Sequence, residues 1–334
     1  MTKGTIVKLA AITLMAGFLT GCETSSLQRD FKVGDVERVR YANSQLYKNW
    51  VEMPNKEPSE PNTKETRYEM VLRQKVVSIG EDGSAILEVT IEKALLNIIS
   101  NVNKKKTDMS FVSSKGKVKS DWPGERKIDG ASYRIKMKPN TEVVEVIGLD
   151  KLHKKLNLKE DSRAGWLLSE KQIKMYHERE FVKNAPSKVG LGKKYQKASK
   201  LPHNMIKAKA LEYNYTPVEI IEKNGVNLAV VNISGEALQT LPEGVEEVKG
   251  PGNFFQSFLI EKSDMQEFKI TGKGLFDLTT GKARKENRDI DILLLLDGDK
   301  MNLGNPKSKD NAKGSGGKMF TVIKMHQTFE TLAK

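Results

Sequence analysis

The chain has 334 residues, 56 Lys and Arg against 43 Asp and Glu, and a net charge of +13; at this length it can bury a full core as one large or two ordinary domains. Cys22 is the only cysteine, which excludes an intrachain disulfide framework and leaves the fold to its core. Basic runs are not interleaved with aromatic residues, so a base-stacking nucleic-acid platform is not expected.

Lys3 and Lys8 precede an apolar run from Leu9 to Phe18, too short at roughly ten residues to span a bilayer. Leu19-Thr20-Gly21-Cys22 follows, and the whole resembles the signal of a bacterial lipoprotein, ending in a lipobox. That resemblance implies cleavage between Gly21 and Cys22 and acylation of Cys22, which supplies the two or more chains that stable anchoring needs. Glu23, by resemblance to the sorting rule of double-membrane bacteria, implies the outer membrane, with the protein facing the periplasm. Residues 1–21 are thus a signal peptide and 22–30 a lipidated tether, of which Glu23 to Asp30 reach at most about 26 Å. Loss of Lys3 and Lys8 lowers the net charge by two.

The first half, 31–165, reads as antiparallel sheet. Phe31-Lys32-Val33-Gly34-Asp35 leads into a strand over Val36 to Val51, and Pro54, Pro58 and Pro61 mark an exposed loop. Arg67 to Ile79 and Ser84 to Ile91 alternate apolar with polar residues around Gly80-Glu81-Asp82-Gly83, a hairpin signature. Met109 to Val118, Tyr133 to Met137 and Glu142 to Ile147 are further strands, the last two joined at Pro139-Asn140.

Leu149, Leu152 and Leu156 predict a short amphipathic helix. A longer linking helix lies within 166–188. Ser169 and Gln172 make a capping box, Leu168 and Ile173 a hydrophobic staple, and Glu170 and Lys174 an i,i+4 pair, which together predict a helix over about 169–184 before Pro186.

The second half, 189–334, repeats the first. Placing Gly225 on Gly83 superposes Val218 on Val76, Leu228 on Ile86, Val231 on Val89 and Ile233 on Ile91, and the hairpin at Phe276 to Ala283 on that at Met137 to Val143, an internal duplication of about 140 residues. Asp289 to Leu296 and Met319 to Phe329 are the last strands, Leu293 to Leu296 is expected to be buried on both faces, and 304–317 is expected to be a mobile loop.

Phe31-Lys32-Val33-Gly34-Asp35, Met137-Lys138-Pro139-Asn140-Thr141-Glu142-Val143-Val144, Val189-Gly190-Leu191-Gly192 and Gly272-Lys273-Gly274-Leu275-Phe276-Asp277 with Gly281 resemble a family of uncharacterised bacterial envelope proteins of the domain-of-unknown-function kind. The resemblance implies a sheet-rich fold and an envelope address, with no catalytic residue to transfer. Asn140-Thr141 departs from it, standing where that family usually has a glycine.

Patterns that carry chemistry give way to plainer readings. His153, His177, His203 and His326 are the only histidines and fall at no ligand spacing. Ser114-Lys115-Gly116-Lys117 matches Ser-x-x-Lys but lacks the partner motifs and sits in strand or loop sequence. Asp297-Gly298-Asp299-Lys300-Met301-Asn302 lacks the glycine and closing Glu of a calcium loop. Gly314-Ser315-Gly316-Gly317-Lys318 lacks the first glycine and the final Ser or Thr of a phosphate loop. Trp50, Trp122, Trp166, Phe254, Phe255 and Phe258 are read as core before ligand groove.

The expected fold is therefore α+β, mainly β: two tandem, related, curved antiparallel sheets with a short and a longer helix between them. The expected function is a membrane-anchored, non-enzymatic binding or assembly module of the envelope, with no cofactor and no metal. The alternatives are a carrier or sensor of an apolar ligand held between a sheet and the Ser169 helix, and, behind it, an envelope hydrolase. Its partners are the membrane through Cys22, anionic envelope components and other envelope proteins. Lys104, Lys105, Lys106, Lys115, Lys117 and Lys119 are the candidate anionic contact surface.

Overall fold

The computed structural model describes residues 28–159, 162–184, 190–200, 210–238, 263–297 and 317–333. The signal peptide, Cys22, His203, Phe254, Phe255, Phe258 and residues 304–316 lie outside the described residues.

The strands come in chain order, so the chain builds each half as a meander. The first half contains β1 (Val36–Glu52), β2 (Asn62–Ile79), β3 (Ala85–Val102), β4 (Lys105–Ser114), β5 (Lys117–Ser120), β6 (Ser132–Met137) and β7 (Val143–Ile147). Four short helices follow: α1 (Leu149–Leu156), α2 (Arg163–Leu167), α3 (Glu170–His177) and α4 (Glu180–Asn184). The second half contains β8 (Tyr195–Lys200), β9 (Ala210–Lys223), β10 (Val226–Leu238), β11 (Asp264–Asp277), β12 (Ala283–Asp297) and β13 (Lys318–Leu332).

All pairings are antiparallel. The protein is mainly β, with one large sheet where two in tandem are expected. Its order is β5-β4-β3-β2-β1-β13-β12-β11-β10-β9-β8, with β6 on β3 and β7 on β6. The halves fuse because β13 pairs with both β12 and β1, the latter in unbroken register from Arg38↔Leu332 to Glu52↔Lys318. Edge strands in two separate sheets would leave these backbone donors and acceptors unpaired. The pairing order β1-β2-β3-β6-β7 recurs as β8-β9-β10-β11-β12. The insertion β4-β5 pairs with the far part of β3, residues 93–102, while its near part, residues 85–90, pairs with β6.

Residue equivalence between the halves is partial. Val89 and Val231 are both buried, as are Ile91 and Ile233, but Val76 is buried where Val218 is 45% exposed. The bulges differ: the β2–β3 register skips Val77, whereas the β9–β10 register passes from Glu219 to Pro217 and leaves Val218 itself unpaired. A bulge one position away turns the side chain to the other face. Leu293 to Leu296 also departs from expectation, for Leu294 and Leu296 are buried while Leu293 and Leu295 are half-buried. The strand simply alternates.

The expected helix over 169–184 is two helices. Ser169 caps α3, its Oγ accepting from the Gln172 N–H at 3.4 Å, and Leu168 and Ile173 are both fully buried. At Glu178 the backbone turns extended, with ψ 136°. Glu178 Oε1 accepts from the Val143 N–H at 3.0 Å, and the Arg179 N–H donates to Thr141 Oγ1 at 3.0 Å. Thr141 of the β6–β7 turn thus takes the Arg179 N–H that would have continued the helix. The α2 helix was not expected; its first N–H groups, at Arg163 and Ala164, donate to the Glu125 carboxylate.

The helices pack on one face of the sheet and share one core with it. Tyr176 meets Tyr41 of β1 at 5.3 Å between ring centroids, His177 meets Tyr133 of β6 at 6.0 Å, and Phe181 meets Tyr215 of β9 and Phe276 of β11 at 4.9 and 4.6 Å. Along the sheet order, β6 and β9 are eight strand spacings apart, or about 38 Å if flat. His177 and Phe181 are separated by at most about 14 Å of chain. The sheet therefore bends around α3 and α4. Among the described residues no helix is long and apolar enough to cross a membrane.

Candidate functional site

The register that buries Ile290, Ile292, Leu294 and Leu296 of β12 also turns Glu286 and Arg288 inward. On β1 the same parity that buries Val39 and Tyr41 turns Glu37 inward opposite Gln74 of β2. The inner face thus becomes polar toward one end of the sheet. There the break between α3 and α4 presents His177 and Arg179.

The N-terminal segment closes this end. The Arg29 N–H donates to the Pro139 carbonyl at 2.8 Å, and the Asp30 N–H to the Thr280 carbonyl at 3.2 Å. These acceptors belong to the β6–β7 and β11–β12 turns, which occupy equivalent places in the two halves. Gly281 permits the crossing, because its φ is 64° and a Cβ there would collide with the Gln28 carbonyl oxygen. Arg29 then reaches Glu37 at 2.5 Å, with only 10% and 8% of the two side chains exposed. Glu37 Oε1 also accepts from Thr331 Oγ1 at 3.2 Å.

Arg288 pairs with Glu286 at 2.7 Å and stands over the Tyr213 ring. Among the described residues Arg179 has no such carboxylate partner within ion-pair distance. Its guanidinium donates to the carbonyls of Glu178, at 2.8 Å, and Tyr176, and stacks on the Phe329 ring at 3.5 Å. Burial lowers its pKa to about 10, against the opposing charge of Glu286. His177 is fully enclosed, with Gln74 Nε2 at 3.1 Å from its Nδ1 and the Tyr133 hydroxyl at 2.9 Å from its Nε2. Burial first, then the Arg179 and Arg29 charges, lower its pKa to about 3, so the imidazole is neutral. Burial likewise raises the Tyr133 and Tyr176 hydroxyls.

Thr141 holds this junction from a left-handed backbone, φ 66°. That conformation is costly for a β-branched residue, and such strain is often stored at functional sites. Here Asn140-Thr141, the departure from the glycine pattern, places the Oγ1 that fixes Arg179.

Arg29, Glu37, Val39, Gln74, Thr141, His177, Arg179, Lys282, Ala283 and Phe329 line a recess with room for about one water. Three of its lining residues carry a buried side-chain atom with no protein partner among the described residues: Arg29 Nε, Arg179 Nε and Gln74 Oε1.

The six candidate lysines lie elsewhere, all exposed. Lys104 is in the β3–β4 turn with Lys105 and Lys106 beginning β4, while Lys115 is in the β4–β5 turn with Lys117 and Lys119 on β5. The two runs are therefore at opposite ends of β4, about 30 Å apart. Trp50 stacks on Phe320, Trp166 meets Tyr68 edge-on, and Arg163 covers Trp122. His153 contacts the Leu168 carbonyl, and His326 pairs with Asp289. Among the described residues no group of His, Cys, Asp and Glu is placed to hold a metal ion. The polar recess was not expected from the sequence; its legible signal is Glu286 and Arg288 on the apolar parity of β12.

No protein-family model matches the chain, and no curated protein matches it. Among solved structures it is similar to lipovitellin, described for its lipid–protein interactions, at 10% identity and TM-score 0.33 over 91% of this chain and 25% of that one. It is also similar to Pseudomonas aeruginosa OccK7 (OpdD), at 7% identity and TM-score 0.19 over 90% of this chain and 100% of that one. A distant neighbour is a DUF1329 family protein from Desulfovibrio piger, at 8% identity and TM-score 0.14 over 86% and 84% of the two chains. The chain spans about a quarter of the length of the lipovitellin chain that it matches.

Proposed function

We propose that the protein is a non-enzymatic, lipid-anchored module of the bacterial envelope, tied to the outer membrane through Cys22 and presenting its sheet to envelope partners. The observation that supports this reading is the filling of the bent sheet. Tyr176, Phe181 and Phe276 are fully buried between the sheet and α3–α4, and the recess beside them takes about one water. Neither an acyl chain nor a polymer substrate fits there.

A second reading, carriage of an acyl chain, is favoured by the opposite end of the inner face. On β1 the parity of Val39 and Tyr41 continues to Tyr47 and Val51, which are 36% and 38% exposed beyond the helices. Native mass spectrometry of the gently purified full chain decides between the two. A mass equal to that of the denatured, lipidated chain supports the module, whereas an excess lost on denaturation replaces it with the carrier. The anchor is tested separately: Cys22→Ala should release the chain from membranes, and unchanged retention would overturn it.

A further inference from the structure

The charges of the polar end do not balance. Arg29, Arg179 and Arg288 supply three guanidinium groups to a region in which Glu37 and Glu286 are the paired carboxylates, Arg29 with Glu37 and Arg288 with Glu286. Arg179, 6% exposed, is left with two carbonyls and a ring face. Lys282, which also lines the recess, makes a long 3.5 Å contact with Asp35 as its one ion pair among the described residues. The opposing charges that act on Arg179, those of Glu286 and Glu37, each already have an arginine of their own, so the end carries one buried guanidinium more than it has carboxylates to pair, which is costly. Arg29 and Arg179 both line the recess, and the buried Nε–H of each has no partner among the described residues.

We infer that this recess binds a small monovalent anion, with chloride as its simplest member, between the Nε–H groups of Arg29 and Arg179 and with Lys282 at the rim. The size of the recess excludes a phosphate or a carboxylate-bearing metabolite and leaves only a monatomic ion or a water as occupant. Gln74 fits the same arrangement when its amide is turned: Oε1 then accepts from His177 Nδ1–H, the Tyr133 hydroxyl donates to Nε2, and the Gln74 amide N–H groups face the anion. The site joins the N-terminal strap to the α3–α4 break, so the ion would fasten the segment that follows the anchor to the core. The inference stands whether or not Cys22 is acylated.

The test uses the full chain in detergent, with chloride exchanged for gluconate at constant ionic strength. Melting temperature should rise by about 2 °C for each tenfold increase in chloride above the dissociation constant, and Arg29→Gln should remove that dependence. Crystals grown in bromide should show an anomalous peak between Arg29 and Arg179. Equal melting temperatures in the two salts, with a peak that behaves as water, would overturn the site. A bromide peak without any chloride-dependent stability would mean an adventitious ion only, and a chloride effect with the peak elsewhere would reject this location. If Arg29→Gln does not fold, the anomalous map and the wild-type titration still decide.

Discussion

Lowering the pH from 6.5 to 4.5 perturbs one buried group above all others. The His177 imidazole is held neutral in the folded chain, with a pKa of about 3 against an ordinary 6.5. Between those values the unfolded chain carries a proton that the folded chain does not. Stability therefore rises with pH across the window and is lost as the pH falls below 6.5, by about 1.4 kcal/mol per pH unit. At pH 4.5 the loss amounts to about 2–3 kcal/mol. Carboxyls held low by hydrogen bonds, Asp82 by Ser84 and Glu142 by Lys138, give up their contributions below their ordinary values of 3.8 and 4.5, so the upper window belongs to the histidine. Urea unfolding of the full chain, followed by tryptophan fluorescence, measures it. His177→Gln should be less stable at neutral pH by about 1–3 kcal/mol, because Gln74 and Tyr133 lose part of their pairing, but its stability should be flat from pH 6.5 to 4.5. Parallel slopes in the two proteins, or an imidazole resonance of His177 that titrates near 6.5, would refute the reasoning.

Tyr176→Ala and Phe181→Ala should each cost about 3–5 kcal/mol in the same unfolding assay, since both rings fill the bend of the sheet; losses below about 1 kcal/mol would show that the sheet closes without them. Gly281→Ala should displace the N-terminal strap, seen as new proteolytic cleavage near residues 28–31, while the sheet's circular dichroism is kept. Thr141→Val should destabilise by about 2 kcal/mol by orphaning the Arg179 N–H, and Thr141→Gly by less, because glycine relieves the left-handed backbone; equal losses would rule out stored strain. Replacing Lys104, Lys105, Lys106, Lys115, Lys117 and Lys119 with Gln should leave stability within about 0.5 kcal/mol and weaken sedimentation of the non-acylated chain with anionic vesicles; undiminished binding would remove these lysines from the membrane surface.

Alternation of apolar and polar residues made most of the strands legible, and Gly83 and Gly225 marked the two central hairpins at their observed turns. Junctions carried by long-range pairing were not legible. The sequence placed β3 over 84–91 and missed residues 92–102, of which 93–102 pair on one side with the inserted β4. Fusion of the halves depends on β13 finding β1 nearly 300 residues away in the chain, and no local period encodes that. The helix break at Glu178 was hidden for a related reason: capping, staple and i,i+4 pair all favour continuity, and the competing acceptor, Thr141, lies 38 residues upstream. The polar recess could have been suspected from Glu286 and Arg288 alone, because they sit on the parity that Ile290, Ile292 and Leu294 identify as inward.

Thr141 and Gly281 occupy the same place in the two repeated hairpins, yet they meet opposite demands. At Gly281 the strap passes so close that its Gln28 carbonyl lies where a Cβ would be, and only glycine allows both that approach and a φ of 64°. At Thr141 the strap bonds instead to Pro139, leaving space for a side chain, and the hydroxyl placed there ends α3 and brings Arg179 to the recess. One half thus uses the turn to admit the N-terminal segment, the other to break a helix. The strap, the break and the buried charges converge because two turns in corresponding places of the sheet are used differently, a difference that apolar spacing alone does not register.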